Sequence, residues 1–262
     1  MKIVVAVKAV AALDDEFELI DDGAAVDPEY LEWDLNEWDS FSIEAAIDLR
    51  EATGDGEVVA ITVGDEDAED ALLSCLAKGA DRGVRIWDDA LAGADPLAVA
   101  RVLAAALERE APDLVLCGVQ SSDSVNGATG VALAGLLDLA HVAVVKRIEY
   151  DAGSATATVE RELEGGVVEI LRVHTPALLT IQTGINQPRY ATLRAIKQAR
   201  EKPLAEIGLA DLGLDPAAVA AAAGSRRRAL AMPDRSAGAE MITGSAAEMA
   251  TRIAELVKER SG

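Results

Sequence analysis

The sequence predicts an α/β chain: a doubly wound, mainly parallel sheet with an added antiparallel hairpin region and a C-terminal arm. Three observations carry this. Through the first half, short apolar runs alternate with stretches of helical periodicity at the spacing of βαβ units. After about residue 141 the pattern changes to consecutive strands. From Asn186 onward it reads as an extended arm with little periodicity of its own.

Lys2 to Val7 (KIVVAV) is a continuous apolar run, as a strand buried on both faces requires. Ser42 to Glu51 places Ile43, Ala46, Ile47 and Arg50 three and four residues apart, which predicts a helix. Val58 to Val63 reads as the second strand, and Glu66 to Lys78 as a second helix ended by Gly79. Gly83 to Trp87 is a short third strand. Pro96 to Arg109 is a helix with proline near its first turn and Asp95 as its N-cap. Asp113 to Cys117 (DLVLC) is the fourth strand, and a helix over Ala128 to Leu137 follows. Residues 212–242, rich in Ala, Gly, Pro and Asp, read as a linker or a segment ordered on binding, and Ala246 to Lys258 as a final amphipathic helix. The division expected is residues 1–185 as an α/β nucleotide-binding domain including the hairpin region, and 186–262 as an extended recognition arm, linker and C-terminal helix.

The charge bounds the partners. There are 46 acidic residues against 24 basic ones, for a formal net charge of −22, and arginine outnumbers lysine 17 to 7. Such a surface repels nucleic acid and anionic membranes. It suits docking of basic partners, or a salt-rich, halophilic cytoplasm where repulsion is screened; the scatter of the acids along the chain favours the second. No apolar run approaches the roughly 18 residues that span a bilayer, and no charged-then-apolar leader precedes the first strand, so a soluble cytoplasmic chain without membrane insertion is expected. Cys75 and Cys117 lie in apolar segments without metal spacing and read as buried free thiols. His141 and His174 read as structural, and no metal site is expected. Arg226-Arg227-Arg228 reads as a solvated face, or as a group that pairs with a partner's carboxylates.

Ligands of open α/β sheets bind at the carboxyl ends of the strands. Three segments meet that condition: Ala6-Val7-Lys8, Asn36-Glu37-Trp38-Asp39, and the loop from Gly118 to Gly130. The last is small, polar and opens a helix whose free N–H groups suit an anion. By pattern alone it is equally a capped helix behind a polar loop, because it lacks the P-loop lysine and the dinucleotide fingerprint.

The stretch Val159 to Tyr190, VERELEGGVVEILRVHTPALLTIQTGINQPRY, is more specific. Gly165-Gly166 between two runs of alternating apolar and charged residues is a strong hairpin signal. The order Val159-x-Arg161, two residues, Glu164-Gly165-Gly166, a strand, then Pro176-Ala-Leu-Leu-Thr180 resembles the signature of the electron transfer flavoprotein beta subunit. PRYATL, Pro188 to Leu193, and ADLGLD, ending at Asp215, resemble this family too, so the likeness covers Met1 to about Asp215.

The resemblance implies an adenine nucleotide alpha-hydrolase-like core with a structural AMP. Carried over by position, Ala6 and Val63 line the adenine and Asn36 contacts adenosine. Ser121, Ser124, Gly127, Ala128 and Thr129 surround ribose and phosphate, with Gly118, Gln120 and Asn126 in the same loop. Asp39 and Asp123 match family positions and orient these loops. Two departures stand out. Polar residues common in the family near positions 127 and 128 are Gly and Ala here, which leaves more of the binding to main-chain N–H groups. The segment after Lys8 runs Ala11-Ala12-Leu13, without the Pro-Asp or aromatic that helps shape a flavin-facing loop.

No segment resembles the FAD-binding domain of the alpha subunit. The resemblance therefore implies half of a heterodimer: an electron carrier with no catalytic residue of its own, its FAD shared and held mainly by the alpha subunit. It implies transfer of electrons from acyl-CoA-type dehydrogenases, as in fatty acid oxidation, to a membrane quinone oxidoreductase. The arm, with Arg189, Tyr190 and Leu193, is expected to dock the donor. Two rivals stand beside this: a bifurcating beta subunit with a second FAD in place of AMP, and a nucleotide-binding stress-type or ATP-pyrophosphatase-like domain. The loop Gly127-Ala128-Thr129-Gly130-Val131 differs from the acidic, Gln-containing segment usual in the first. The second does not account for the hairpin, PRYATL or the arm.

Overall fold

The computed structural model describes residues 1–13, 17–20, 23, 25–232, 239 and 241–261. The first strand, β1 (Lys2–Ala6), sends Ile3 and Val5 to one face and Val4 and Ala6 to the other, all four buried. A strand covered on both faces cannot alternate apolar with polar, which explains its unbroken run. A ribbon follows, β2 (Ala9–Ala12) antiparallel to β5 (Glu32–Leu35), with a two-residue pair, β3 (Leu19–Ile20) and β4 (Ala25–Val26), between them.

α1 (Glu37–Thr53) begins five residues before the expected Ser42. Trp38 is the one apolar residue of its first turn, too little for periodicity alone to place the start. It ends at Gly54, whose φ of 75° is left-handed. β6 (Glu57–Val63), α2 (Glu69–Lys78), β7 (Arg82–Ile86), α3 (Pro96–Glu110), β8 (Leu114–Gly118) and α4 (Thr129–Leu136) follow in the expected order. Glu66–Ala68, expected in the second helix, is a separate 3-10 turn. Asp95 caps α3 as expected, accepting the N–H of Ala98 at 2.9 Å.

β9 (Ala140–Asp151), β10 (Thr156–Glu162) and β11 (Val168–His174) form an antiparallel meander, turned at Gly165 and Gly166 with φ of 74° and 77°. Both values favour glycine, as the hairpin signal anticipated. β12 (Ala177–Ile181) then returns to lie parallel between β8 and β9. The meander is thus continuous with the main sheet, whose order is β11-β10-β9-β12-β8-β1-β6-β7, completed at the far edge by β13 (Leu204–Ile207).

β13 corrects the reading of everything after Asn186 as extended arm. Residues 193–199 form a short helix, α5, packed on α2, and Leu204–Ile207 pairs in parallel with β7. A four-residue edge strand, LAEI, carries too little pattern to be seen in the sequence. α6 (Pro216–Ala221) and α7 (Ala246–Ser261) complete the chain. Of the expected linker 212–242, α6 is helical, and residues 233–238 and 240 lie outside the described residues.

Two apolar layers flank the sheet. Ile3, Val5, Ile43, Ile47, Leu72, Leu76, Leu114 and Leu116 belong to one, under α1 and α2. Val4, Val59, Ile61, Val102, Leu103, Leu107, Val115 and Leu133 belong to the other, under α3 and α4. Each fully buried Leu or Ile contributes about 1.5–3 kcal/mol relative to exposure. The chain runs from β1 outward to β6 and β7, then crosses back to β8 on the other side of β1. That reversal opens a crevice at the carboxyl ends of β1 and β8.

Candidate functional site

The crevice is a cavity of about 560 Å³, within the roughly 300–1,000 Å³ of small-molecule sites. All the expected binding residues line it: Ala6, Asn36, Asp39, Val63, Gly118, Gln120, Ser121, Asp123, Ser124, Asn126, Gly127, Ala128 and Thr129. Ala6 ends β1, Val63 ends β6 and Gly118 ends β8, so three strand ends form its floor. Val99 and Leu103 of α3 add an apolar wall.

Asp39, in the first turn of α1, ties these ends together. Its Oδ2 accepts the N–H of Lys8 at 2.8 Å and its Oδ1 accepts that of Gly118 at 2.9 Å. Burial pushes its pKa up to about 7, against the pull of these two bonds, the Asn36 side chain and the Lys8 charge. Gly118 is required by this approach: a Cβ there would lie 2.5 Å from Trp38 Cβ and 2.6 Å from Asp39 Oδ1.

Asn36 is buried, with its amide engaged at both ends. Nδ2 donates to the Gln120 carbonyl at 2.9 Å, and Oδ1 accepts the Ser122 N–H at 3.2 Å. It fixes the loop after β8 to the start of α1. Lys8 Nζ donates to Asp123 at 2.6 Å and to Ser121 Oγ at 3.3 Å, while Ser121 and Ser124 share a hydroxyl contact at 2.9 Å. The charge of Lys8 is thus matched by Asp123, whose carboxyl lies below its ordinary value: burial opposes this, and the bonds from Lys8, Ser121 and Ser124 outweigh it.

The loop then turns through Val125 and Gly127, with φ of 51° and 58°, into α4. A β-branched residue at positive φ is an outlier, of the kind held where surrounding structure over-determines the backbone. Ala128, at the N-cap, supplies no side-chain cap. Among the described residues, the main-chain N–H groups of Gly127, Ala128 and Thr129 meet no acceptor. Free donors at a helix N-terminus suit an anion, phosphate above all. Gly130 lets α4 sit on the sheet; a Cβ there would lie 2.6 Å from Cys117 Sγ and 2.8 Å from Thr180 Cγ2.

The sequence reading assigned neither Asp95 nor the segment Ser225 to Arg228 to this cavity and named Lys8 only within a strand-end segment, yet all line it. Asp95 Oδ2 accepts the N–H groups of Gly224 and Ser225 at 2.7 and 2.8 Å, which draws the arginine run to the rim. Its own Oδ1 still caps α3. The N-cap was legible in the sequence. Its second bond, to a segment far along the chain, was not.

Arg189, Tyr190 and Leu193 lie away from this cavity, and they differ among themselves. Arg189 is held on α1: its Nε donates to Glu44 at 2.9 Å, its main-chain N–H to the same carboxylate at 2.8 Å, and a guanidinium nitrogen to Glu51 at 2.9 Å. Glu44 is buried. Tyr190 is 98% exposed and Leu193, at the start of α5, is 81% exposed. Cys75 and Cys117 are free and buried, and burial pushes both thiols up. His174 Nδ1 pairs with Thr156 Oγ1 at 3.0 Å. Among the described residues no group of three or more His, Cys, Asp or Glu is placed to hold a metal, and no helix is long and apolar enough to cross a membrane.

The family model described as "Electron transfer flavoprotein domain" matches residues 24–212. The chain is 47% identical, over the full length of both, to the electron transfer flavoprotein subunit beta of Methylophilus methylotrophus. It is 33% identical to the subunit beta of Bacillus subtilis (strain 168) over 95% of each chain. Against that of Bos taurus it is 34% identical over 82% of this chain and 84% of the relative.

Proposed function

The chain belongs to the electron transfer flavoprotein beta subunit family, and from that premise we propose that it is one half of a heterodimer that holds AMP structurally and shares an FAD borne mainly by an alpha subunit. The complex carries electrons in the cytoplasm from acyl-CoA-type dehydrogenases to a membrane quinone oxidoreductase. The observation that supports the nucleotide reading most is the convergence of every expected binding residue on one cavity at the β1–β8 crevice.

The donor set fits AMP. Ala6, Val63, Val99 and Leu103 offer an apolar wall for a purine, and the unpaired N–H groups of Gly127 to Thr129 offer donors for a phosphate. Asn36, Asp39 and Lys8 spend their hydrogen bonds on the surrounding loops, so they position the site and leave the ligand to main-chain donors and hydroxyls. Bound FAD supplies the one-electron and hydride-equivalent chemistry, and the protein positions it. The exposed Tyr190 and Leu193 form the docking surface for the donor, presented by an arm that Arg189 fastens to α1.

Absorption spectra of the chain expressed alone and co-expressed with its alpha partner test this. The chain alone is expected to be colourless and the complex yellow. A stoichiometric flavin in the isolated chain would overturn the assignment and favour a second flavin in the cavity.

A further inference from the structure

We infer that Arg226, Arg227 and Arg228 are the ligand-selecting wall of the cavity, reading the charge of the nucleotide's phosphate; this rests on the nucleotide reading above. The three arginines line the cavity and make no ion pair among the described residues. Among the described residues none of the three meets a carboxylate, and three adjacent cations lining one cavity raise the local potential in favour of an anion.

The other charged groups of the cavity are already matched. Lys8 is paired with Asp123, and Asp95 accepts main-chain donors from Ala98, Gly224 and Ser225. The segment that bears the arginines is anchored on both sides. Gly224 and Ser225 are tied to Asp95, and the Leu230 N–H donates to the Gly23 carbonyl at 2.7 Å. Gly23 has φ of 92° and a Cβ there would lie 2.2 Å from the Leu230 carbonyl oxygen, so that crossing is built for glycine. The span between the anchors is short, and Arg226, Arg227 and Arg228 line the same cavity as Gly127, Ala128 and Thr129, whose N–H groups meet no acceptor among the described residues. Guanidinium forks pair bidentately with phosphate oxygens. The wall therefore favours a phosphorylated nucleoside over the bare nucleoside, with a preference that weakens as salt rises.

The test titrates the full chain, freed of nucleotide, with AMP and with adenosine by calorimetry, at low and high salt. The native chain is expected to bind AMP more tightly than adenosine. Replacing all three arginines by glutamine should weaken AMP binding about ten- to a hundred-fold, leave adenosine unchanged and flatten the salt dependence. Lysine at all three positions should retain part of the preference. Arg101→Gln, on the exposed side of α3, controls for bulk charge and should change nothing. Unchanged AMP affinity in the glutamine variant overturns the inference and leaves the nucleotide reading standing, as does an equal loss for AMP and adenosine. A native chain that binds neither ligand overturns the nucleotide reading itself.

Discussion

Asp39 Oδ1 accepts the main-chain N–H of Gly118 at 2.9 Å while its other oxygen accepts that of Lys8, so one buried carboxyl of α1 joins the ends of β8 and β1. Its pKa stands at about 7, raised from 3.8 chiefly by burial. The folded chain therefore holds a proton that the unfolded chain has released between those values. The stability this group provides is complete below 3.8 and is lost as pH rises toward 7. Relative to an Asp39→Asn variant, the wild type should lose about 1.4 kcal/mol per pH unit across that window. Urea denaturation of both proteins at pH 5, 6, 7 and 8 measures it. A gap that stays constant from pH 5 to 7 contradicts the buried-carboxyl account.

Gly130→Ala tests the fit of α4 on the sheet. The added methyl would meet Cys117 Sγ and Thr180 Cγ2 inside ordinary contact distance, with strand backbone behind them. Overpacking of this kind costs about 1–3 kcal/mol. The denaturation midpoint should fall by a corresponding amount, and nucleotide affinity should fall with it because α4 and its N–H donors are displaced. An unchanged midpoint would mean that α4 moves freely away from β8 and β12.

Leu193→Ala should leave assembly, flavin content and stability unchanged, because the side chain is already in solvent. Truncating a leucine that anchors a partner costs on the order of 1–3 kcal/mol. Reduction of the complex by its dehydrogenase should then show an apparent KM raised about five- to hundred-fold, with dithionite reduction unaffected. Release of flavin or loss of the partner would assign Leu193 to packing.

Arg189→Gln should behave differently. It leaves the buried Glu44 without its guanidinium, though the N–H of residue 189 remains a donor. A loss of about 1–3 kcal/mol in stability is expected, together with weaker docking as the arm loosens from α1. Thermal melts beside the dehydrogenase assay separate the two effects. Unaltered stability would return Arg189 to the docking surface proper.

The strands and helices that build the crevice were legible in the sequence because each carries an apolar period long enough to recognise, as β1 and α3 do. The rule that ligands lie at strand carboxyl ends then selected Ala6, Asn36 and the loop after Cys117. The family signature in the hairpin made that selection specific. Three features were not legible. The helical form of Glu37 to Ser40 was missed although Asp39 had been placed at the site, because Trp38 is the turn's one apolar residue and its place is fixed by bonds from Lys8 and Gly118 to Asp39. β13 has four residues and finds its identity only beside β7. The arginine run reaches the cavity through Asp95, and a bond between residues so far apart in sequence leaves no local pattern.

The central claim is that the cavity holds AMP. Chromatography of the nucleotides released by denaturing the purified heterodimer tests it most directly. The account predicts one AMP and one FAD per heterodimer, with AMP reduced in a complex whose three rim arginines are glutamine. Two FAD and no AMP, or no adenine nucleotide beyond a single FAD, would contradict it.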